Sequence, residues 1–504
     1  MTSFGATDYE NSELEARSHN SRALLLAFAL LLVELIGGVQ GFVFDALLPT
    51  IGAVFDAHQF YGLILGSMSA AAFLTMPLGP WLLARIRIER MMVYLTWVNI
   101  VGAILRAIAP NVGVFIAGSV IAAMAGGALA TVGMTAIITG LPAKLRRFVF
   151  AGHNAMWLII SAIGPLYATW ITTRLNWRWA FVLYLPFLAF ARFLIARQLR
   201  DSKQAPKNAT LKLPSALALA AGVVMLSIVG FSQLPSTLII ALGLAGTALA
   251  LFAGKNLLIP GTLTASPGRS AAVATLGLLT SSYFGVGAIM AIIAADLFGA
   301  TPTQVALLLA ISSFAWAVVG VPVSKWPATN AKAFLKRTRI GAIALLAGIL
   351  LIIFTVTIGG TYAIPMLIAG WLIAGVGMGL IYLDTLNQII EIPTEADNVS
   401  EAEAGASTIM VESIATAITG TLAAALLGRA VSHGVGIELG SGPLPMGTPA
   451  VSGGELPGGA GTAMAIAILG VLAGITILLL FTTRRIAIVP PSGASVDGAA
   501  PKLA

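Results

Sequence analysis

Carboxylates set inside long apolar runs are the residues of this chain best placed to do chemistry. Glu34 stands about eleven residues into the first run, which at ~1.5 Å per helical residue puts it near the middle of a bilayer. A charge there costs several kcal/mol unless it is paired or faces water, so such a group exchanges a proton or meets a cation. Glu412, in the stretch Ser407-Thr408-Ile409-Met410-Val411-Glu412-Ser413, and Asp45, on the same run as Glu34, are the next proton-exchange candidates. A hydrogen bond between helices would account for Glu34 or Glu412, and capping or interfacial solvation for Asp45. Asp296 and Asp384 lie near run ends and read as caps or solvated groups at least as readily as transport groups, Arg106 as a snorkelling cation or an acid's partner, and Arg192 as a cation that snorkels or pairs in the inner leaflet.

Trp157, Tyr283, Trp316, Trp371 and Tyr382 have the flat faces that line a site for a greasy or planar compound, with Asn154 as a polar contact. Anchoring at the interface or plain packing would use the same rings. His19, His58, His153 and His433 are too scattered for a metal site, and there is no cysteine. No phosphate-cradling Gly-x-x-x-x-Gly-Lys-Ser/Thr loop and no His-Glu-x-x-His pair occurs. The expectation is therefore no catalytic constellation, no metal and no cofactor: not an enzyme.

These residues must be positioned by helices in lipid. With 58% hydrophobic and 10% charged residues, the chain could not cover a water-exposed surface. Apolar runs fall near 23–53, 60–84, 91–109, 113–140, 149–172, 179–199, 214–233, 236–253, 270–295, 303–323, 338–358, 362–386, 404–430 and 461–482. Most approach the ~20 residues that cross a bilayer as a helix, so the fold class is an all-α polytopic membrane protein of about fourteen transmembrane helices. The net charge of +8 sits in short clusters between runs, which argues against a nucleic-acid partner and marks cytoplasmic loops. Arg85, Arg87 and Arg90; Lys144, Arg146 and Arg147; Lys325, Lys332, Lys336, Arg337 and Arg339; and Arg484 and Arg485 fall on one side. The opposite loops 54–59, 110–112, 234–235, 297–302 and 359–361 carry no Lys or Arg. Both termini are expected in the cytoplasm. Loop 387–403 departs, with Glu391, Glu395, Asp397, Glu401 and Glu403 and no basic residue.

The expected division is a disordered cytoplasmic tail at 1–22, a six-helix bundle at 23–200, a linker with two extra helices at 201–269, a second six-helix bundle at 270–482 and a cytoplasmic tail at 483–504. The Gly- and Pro-rich segment 431–460 reads as an external loop. Basic loops after the second span of each half, Arg85–Arg90 and Lys325–Arg339, form a faint repeat of the kind secondary transporters carry. Small residues in 121–130 fit close helix approach.

The stretch 164–186 holds the most specific pattern. Gly164-Pro165, then Trp177-Arg178-Trp179-Ala180-Phe181 and Pro186, resembles the fifth and sixth spans of the major facilitator superfamily, nearest its fourteen-span drug:proton antiporter branch. Ala46-Leu47-Leu48-Pro49 resembles that family's first-span ending, and Gly375-Val376-Gly377-Met378-Gly379 a later segment. After the second span, Leu83-Ala84 and Arg90 fit the family's loop, while its aspartate and both glycines are missing. Ser119 stands where the family has a coupling arginine, and Gln40 where it has an acid.

The resemblance implies a major facilitator fold, two six-helix halves plus two central helices, rocking about a central cavity. Arg85, Arg90, Gly164, Pro165, Trp177, Arg178 and Trp179 would carry the conformational motifs. It implies export of a small amphipathic or hydrophobic compound against protons, with Glu34, Asp45 and Glu412 as proton-coupling residues. The chain would act as a monomer in the plasma (bacterial inner) membrane, partnered by its small-molecule substrate, protons and the lipid bilayer. The departures keep open an uncoupled or differently coupled exporter of a lipid, siderophore or metabolite, and a non-transporting sensor on the same scaffold.

Overall fold

The computed structural model describes residues 4–200, 212–438 and 459–486. Among these, every regular element is a helix, as lipid demands of a chain this apolar. They are α1 (Phe4–Phe55), α2 (Tyr61–Thr75), α3 (Leu78–Leu83), α4 (Ile88–Ile108), α5 (Val112–Gly140), α6 (Ala143–Arg174), α7 (Leu185–Gln198) and α8 (Leu213–Ile228). There follow α9 (Ser236–Leu257), α10 (Arg269–Ile292), α11 (Pro302–Lys325), α12 (Ala331–Ile358), α13 (Ala363–Ile390), α14 (Thr394–Asp397), α15 (Glu401–Glu438) and α16 (Gly459–Thr482).

Twelve described helices are long and apolar enough to cross a membrane, against fourteen expected runs. The run at 60–84 breaks into α2 and α3, because Pro77 offers no N–H at the junction. The run at 214–233 is the 16-residue α8. Two expectations at the margins need correction. The tail predicted to be disordered is helical from Phe4, in line with helix formers and the Glu13–Arg17 spacing of four. The external loop expected from 431 starts later, since α15 continues to Glu438; residues 439–458 lie outside the described part, as do 201–211 and 487–504.

The chain divides into two compact units, Met1–Gln40 with Ala71–Ile160 and Arg178–Leu213, and Gly41–Ala70 with Ser161–Trp177 and Pro214–Ala504. In the first, Leu26, Met91, Met92, Leu129, Val132 and Ile195 build a common apolar core. Glycine sets the approach of α4 to α5: a Cβ on Gly118 would stand 2.8 Å from the Gly102 carbonyl oxygen. Gly127 lies equally close to the backbone of Ala72, so the small-residue stretch 121–130 serves tight packing here.

In the second unit, α13 is pressed from two sides. A Cβ on Gly377 would meet the Gly341 oxygen of α12 at 2.5 Å, and one on Gly375 the Ser312 oxygen of α11 at 2.3 Å. The spacing Gly375-x-Gly377-x-Gly379 thus serves two neighbours at once. Hydroxyl pairs tie α10 to α16, Ser282 to Thr476 at 2.6 Å and Thr275 to Thr482 at 2.8 Å.

The end predicted to be cytoplasmic is fixed by ion pairs. Arg269, buried, pairs with Asp397 at 3.0 Å and donates to the carbonyls of Val399 and Ile392. Arg337 pairs with Asp384 at 2.9 Å, and Asp384 also accepts the Ala328 N–H at 3.1 Å. The acidic loop that broke the charge pattern therefore finds its cation at the start of α10.

Candidate functional site

Four helices of the second unit bring together five of the residues singled out from the sequence. Tyr283 of α10 stacks on Trp371 of α13, centroids 4.8 Å apart and planes 16° from parallel. Its edge meets Trp316 of α11 at 5.9 Å, and Trp316 stands across Tyr382 of α13 at 5.1 Å and 71°. These offset and edge-to-face arrangements are the favoured ones for aromatic rings. Glycine makes room again, since Gly379 lies against the Trp316 backbone and Gly287 against the Trp371 ring.

Two polar links finish the cluster. The Tyr283 hydroxyl shares a hydrogen bond with Ser312 at 2.8 Å. Tyr382 lies beside Glu412 of α15, while Glu412 Oε1 is buried without a hydrogen-bond partner in the described structure. An aromatic wall beside a carboxylate oxygen with spare acceptor capacity suits a flat cation, a hydrogen-bond donor or a proton.

Other candidates stand apart from this cluster. Glu34 is partly buried on α1, between Val33 and Ile36, which pack around Tyr184 in the first unit. Asp45 lies eleven positions along the same helix, about 20° round it at ~100° per residue, and is exposed, as are Gly37 and Gly41 between them. A strip of α1 thus carries two carboxylates separated on that face by glycines. Trp157 is partly buried on α6, and the Asn154 side chain lies outside the described set.

The motif residues serve several ends. Arg85 stacks on Trp81 at 3.8 Å and donates to its carbonyl; Arg90 is exposed. Gly164 faces the Phe42 ring, so a Cβ there would meet it at 2.8 Å. Pro165 lines a groove of about 890 Å³ between α6 and α11, with Leu166, Trp170, Leu307 and Phe314. Trp177 meets Phe55 edge-on at 5.7 Å, and Trp179 is exposed. Arg178 donates to the carbonyls of Ala107 and Ala109, closing the C-terminal end of α4.

Sequence reasoning missed three arrangements. Arg106 does not snorkel; it is buried over the Phe181 ring at 4.8 Å, with Tyr184 beside it. Asp384 takes the ion pair described above instead of a cap. Asp296 accepts a hydrogen bond from the Tyr61 hydroxyl at 2.8 Å, a partner 235 residues away. No local signal could have supplied that pairing.

Long apolar helices packed together around an aromatic cluster and a carboxylate define an integral membrane protein. Residues 30–408 match the Major Facilitator Superfamily, and the chain belongs to that family of membrane transporters. It is 27% identical over 259 residues to a probable multidrug-efflux transporter of Mycobacterium tuberculosis, covering 48% of this chain and 53% of that one. With the multidrug export protein EmrB of Haemophilus influenzae it shares 22% over 182 residues, 36% of each chain. With the efflux pump dotC of Dothistroma septosporum it shares 26% over 182 residues, 36% of this chain and 31% of the pump. The chain thus spans about half or less of the length of these curated relatives. Among solved structures it resembles a bacterial homologue of the human lysosomal transporter Spinster, TM-score 0.60 at 14% identity, covering 92% of this chain and 97% of that one. It also resembles a peptide transporter bound to sulfate, TM-score 0.60 at 14% identity over 92% and 95%. At such identity these two speak for the fold alone.

Proposed function

We propose that the chain is a secondary exporter of a small amphipathic or hydrophobic compound, driven by proton entry through alternating access. One observation carries the reading: Tyr283, Trp316, Trp371 and Tyr382 converge beside Glu412, whose Oε1 is buried and unbonded. Trp316 and Tyr382, which stay partly exposed in front of the buried Tyr283–Trp371 stack, would take the apolar body of the substrate, and the carboxylate its cationic or donor group. A proton on Glu412 competes with that group, so proton arrival releases substrate and neutralises the site before it returns. Glu34 and Asp45 on α1 supply further exchangeable carboxylates, and Asn154 and Trp157 further contacts. The relatives named as multidrug-efflux and export proteins support the direction. Both termini would face the cytoplasm, the chain would sit as a monomer in the plasma (bacterial inner) membrane, and the two six-span halves would rock about the cavity, with Arg85, Arg90, Gly164-Pro165 and the Trp177–Trp179 turn at the moving joints.

The test is proton release from detergent-solubilised protein on adding lipophilic cations, neutral drugs or siderophores, with Glu34→Gln and Glu412→Gln alongside the unaltered chain. Substrate-triggered release lost in Glu412→Gln, with the protein still folded, is the expected result. Release unchanged in both variants would sink the assignment. Binding without release in every form would favour an uncoupled carrier or a sensor. That second reading has its own support, because Ser119, where the family has its coupling arginine, is buried with an unbonded hydroxyl.

A further inference from the structure

The end of the second unit predicted to be external is sealed by backbone approach and a few polar bonds. A Cβ on Gly62 of α2 would meet the Ala425 Cβ of α15 at 2.3 Å, and one on Gly428 the His58 oxygen at 2.3 Å. Gln59 accepts from the Ser232 hydroxyl at 2.8 Å, and Arg429 donates to the carbonyls of Phe231 and Leu234. At the centre of this seal Tyr61, fully buried, donates to Asp296. Asp296 lies in a π-helical turn, Ile293–Leu297, that ends α10, a departure from regular helix often found at functional positions.

Among the described residues, no cation pairs with Asp296. The nearby basic group, Arg429, is committed to two carbonyls. Asp296 is partly buried, and withdrawing a carboxylate from water with one tyrosine hydroxyl as its partner costs more than the single bond returns, whereas a protonated carboxyl fits the same place and keeps that bond. Closing the α2–α15 seam over Asp296 therefore selects the protonated acid.

We infer that Asp296 is a proton-binding site loaded from the external side, and that Tyr61 closes over it so that this end seals only once the proton is on. The inference rests on the transporter reading for what the seal encloses, but it concerns the seal alone. Among the described residues, the ionisable groups at this end of the packed elements are Asp56 and His58 before α2 and Arg429 on α15; others, such as Asp45 on α1, Arg269 and Tyr283 on α10, and Glu401, Glu403 and Glu412 on α15, lie further along their helices. His58 would act in the opposite sense, since a charged imidazole against Tyr61, 5.7 Å away, favours opening in acid.

The chain has no cysteine, so one introduced thiol reports one place. Thr421→Cys sits buried on α15 behind the seal, facing Gly66; Ser236→Cys, exposed at the start of α9, corrects for thiol chemistry at each pH. The measurement is the rate of labelling by a membrane-impermeant maleimide in vesicles, between about pH 5.5 and 8.5. The ratio of rates should fall about tenfold towards acid, the factor that goes with one unit of pH coupling. In Asp296→Asn, which stays neutral and still accepts from Tyr61, it should be low and flat. In Tyr61→Phe it should be higher throughout but keep its slope, and in His58→Gln it should behave as in the unaltered chain. A ratio that is flat in the unaltered chain, a slope surviving in Asp296→Asn, or a rise towards acid would each overturn the inference; a rise abolished by His58→Gln would assign the response to the histidine. Because transport is not read, loss of substrate-driven proton release with this pattern intact would count against the export reading alone.

Discussion

Arg337 and Asp384 offer the sharpest test of how the predicted cytoplasmic end is held. Asp384 is 2% exposed and has two partners, the Arg337 guanidinium at 2.9 Å and the Ala328 N–H at 3.1 Å. Removing one member of a buried pair costs about 3–5 kcal/mol. The Arg337 side chain is 24% exposed, so water shares its charge and the figure falls to about 2–3 kcal/mol. Arg337→Ala also forfeits the bond to the Trp326 carbonyl at 2.7 Å, worth about 1 kcal/mol. Asp384→Asn keeps an acceptor for Ala328 and should cost about 1–2 kcal/mol. In Arg337→Ala with Asp384→Asn neither charge is stranded, and the pair should cost less than the sum of the single changes by about 1–3 kcal/mol. Unfolding in detergent, followed by tryptophan fluorescence for all four proteins, gives the cycle. Additive single changes, or Arg337→Ala within about 0.5 kcal/mol of the parent, would refute the reasoning.

The two-sided packing of α13 predicts that Gly377→Val will destabilise by at least about 1–3 kcal/mol in the same assay, because both close neighbours are backbone atoms that cannot swing away. Gly126→Ala, where nothing lies within 4 Å of the added carbon, should leave stability within about 0.5 kcal/mol or raise it. His58 predicts an acid limb. Burial pushes its imidazole below the usual histidine range, opposed by Asp56. The unfolded chain then binds the proton more readily, so this group's contribution is complete above about pH 6.5 and declines as pH falls through that value. His58→Gln should flatten stability measured between about pH 7.5 and 5; an unchanged acid limb would show that another group is responsible.

Much of this was legible in the sequence because lipid simplifies the rules. Long apolar runs announce helices, and the runs at 91–109, 303–323 and 362–386 sit within a few residues of α4, α11 and α13. The run at 60–84 misled because its hydropathy is continuous while Pro77 breaks the backbone. The aromatic set was nameable because large rings are sparse there, but not that Tyr283 would stack on Trp371 or that Tyr382 would reach Glu412, since those depend on helix rotation. Polar pairs were the least legible. Arg178 reaches carbonyls 69 and 71 residues back, Arg337 an acid 47 residues on, and Tyr61 one 235 residues on. A charge pattern gives the side of the membrane, not the partner.

The partners also separate the acids by what they can do. Asp384 and Asp397 face arginines, and protonating either would strand a guanidinium, so each is suited to holding two segments together. Glu412 and Asp296 face tyrosine hydroxyls, which bond a carboxylate or a carboxyl alike. A proton can come and go there without breaking an ion pair, and the cost of the charge is then set by how tightly the surrounding helices close. That dependence is what a coupled carrier needs: the protonation state of the acid and the packing of the helices around it change together or not at all. It follows that Asp384→Asn should alter stability far more than any pH response, and Asp296→Asn the reverse.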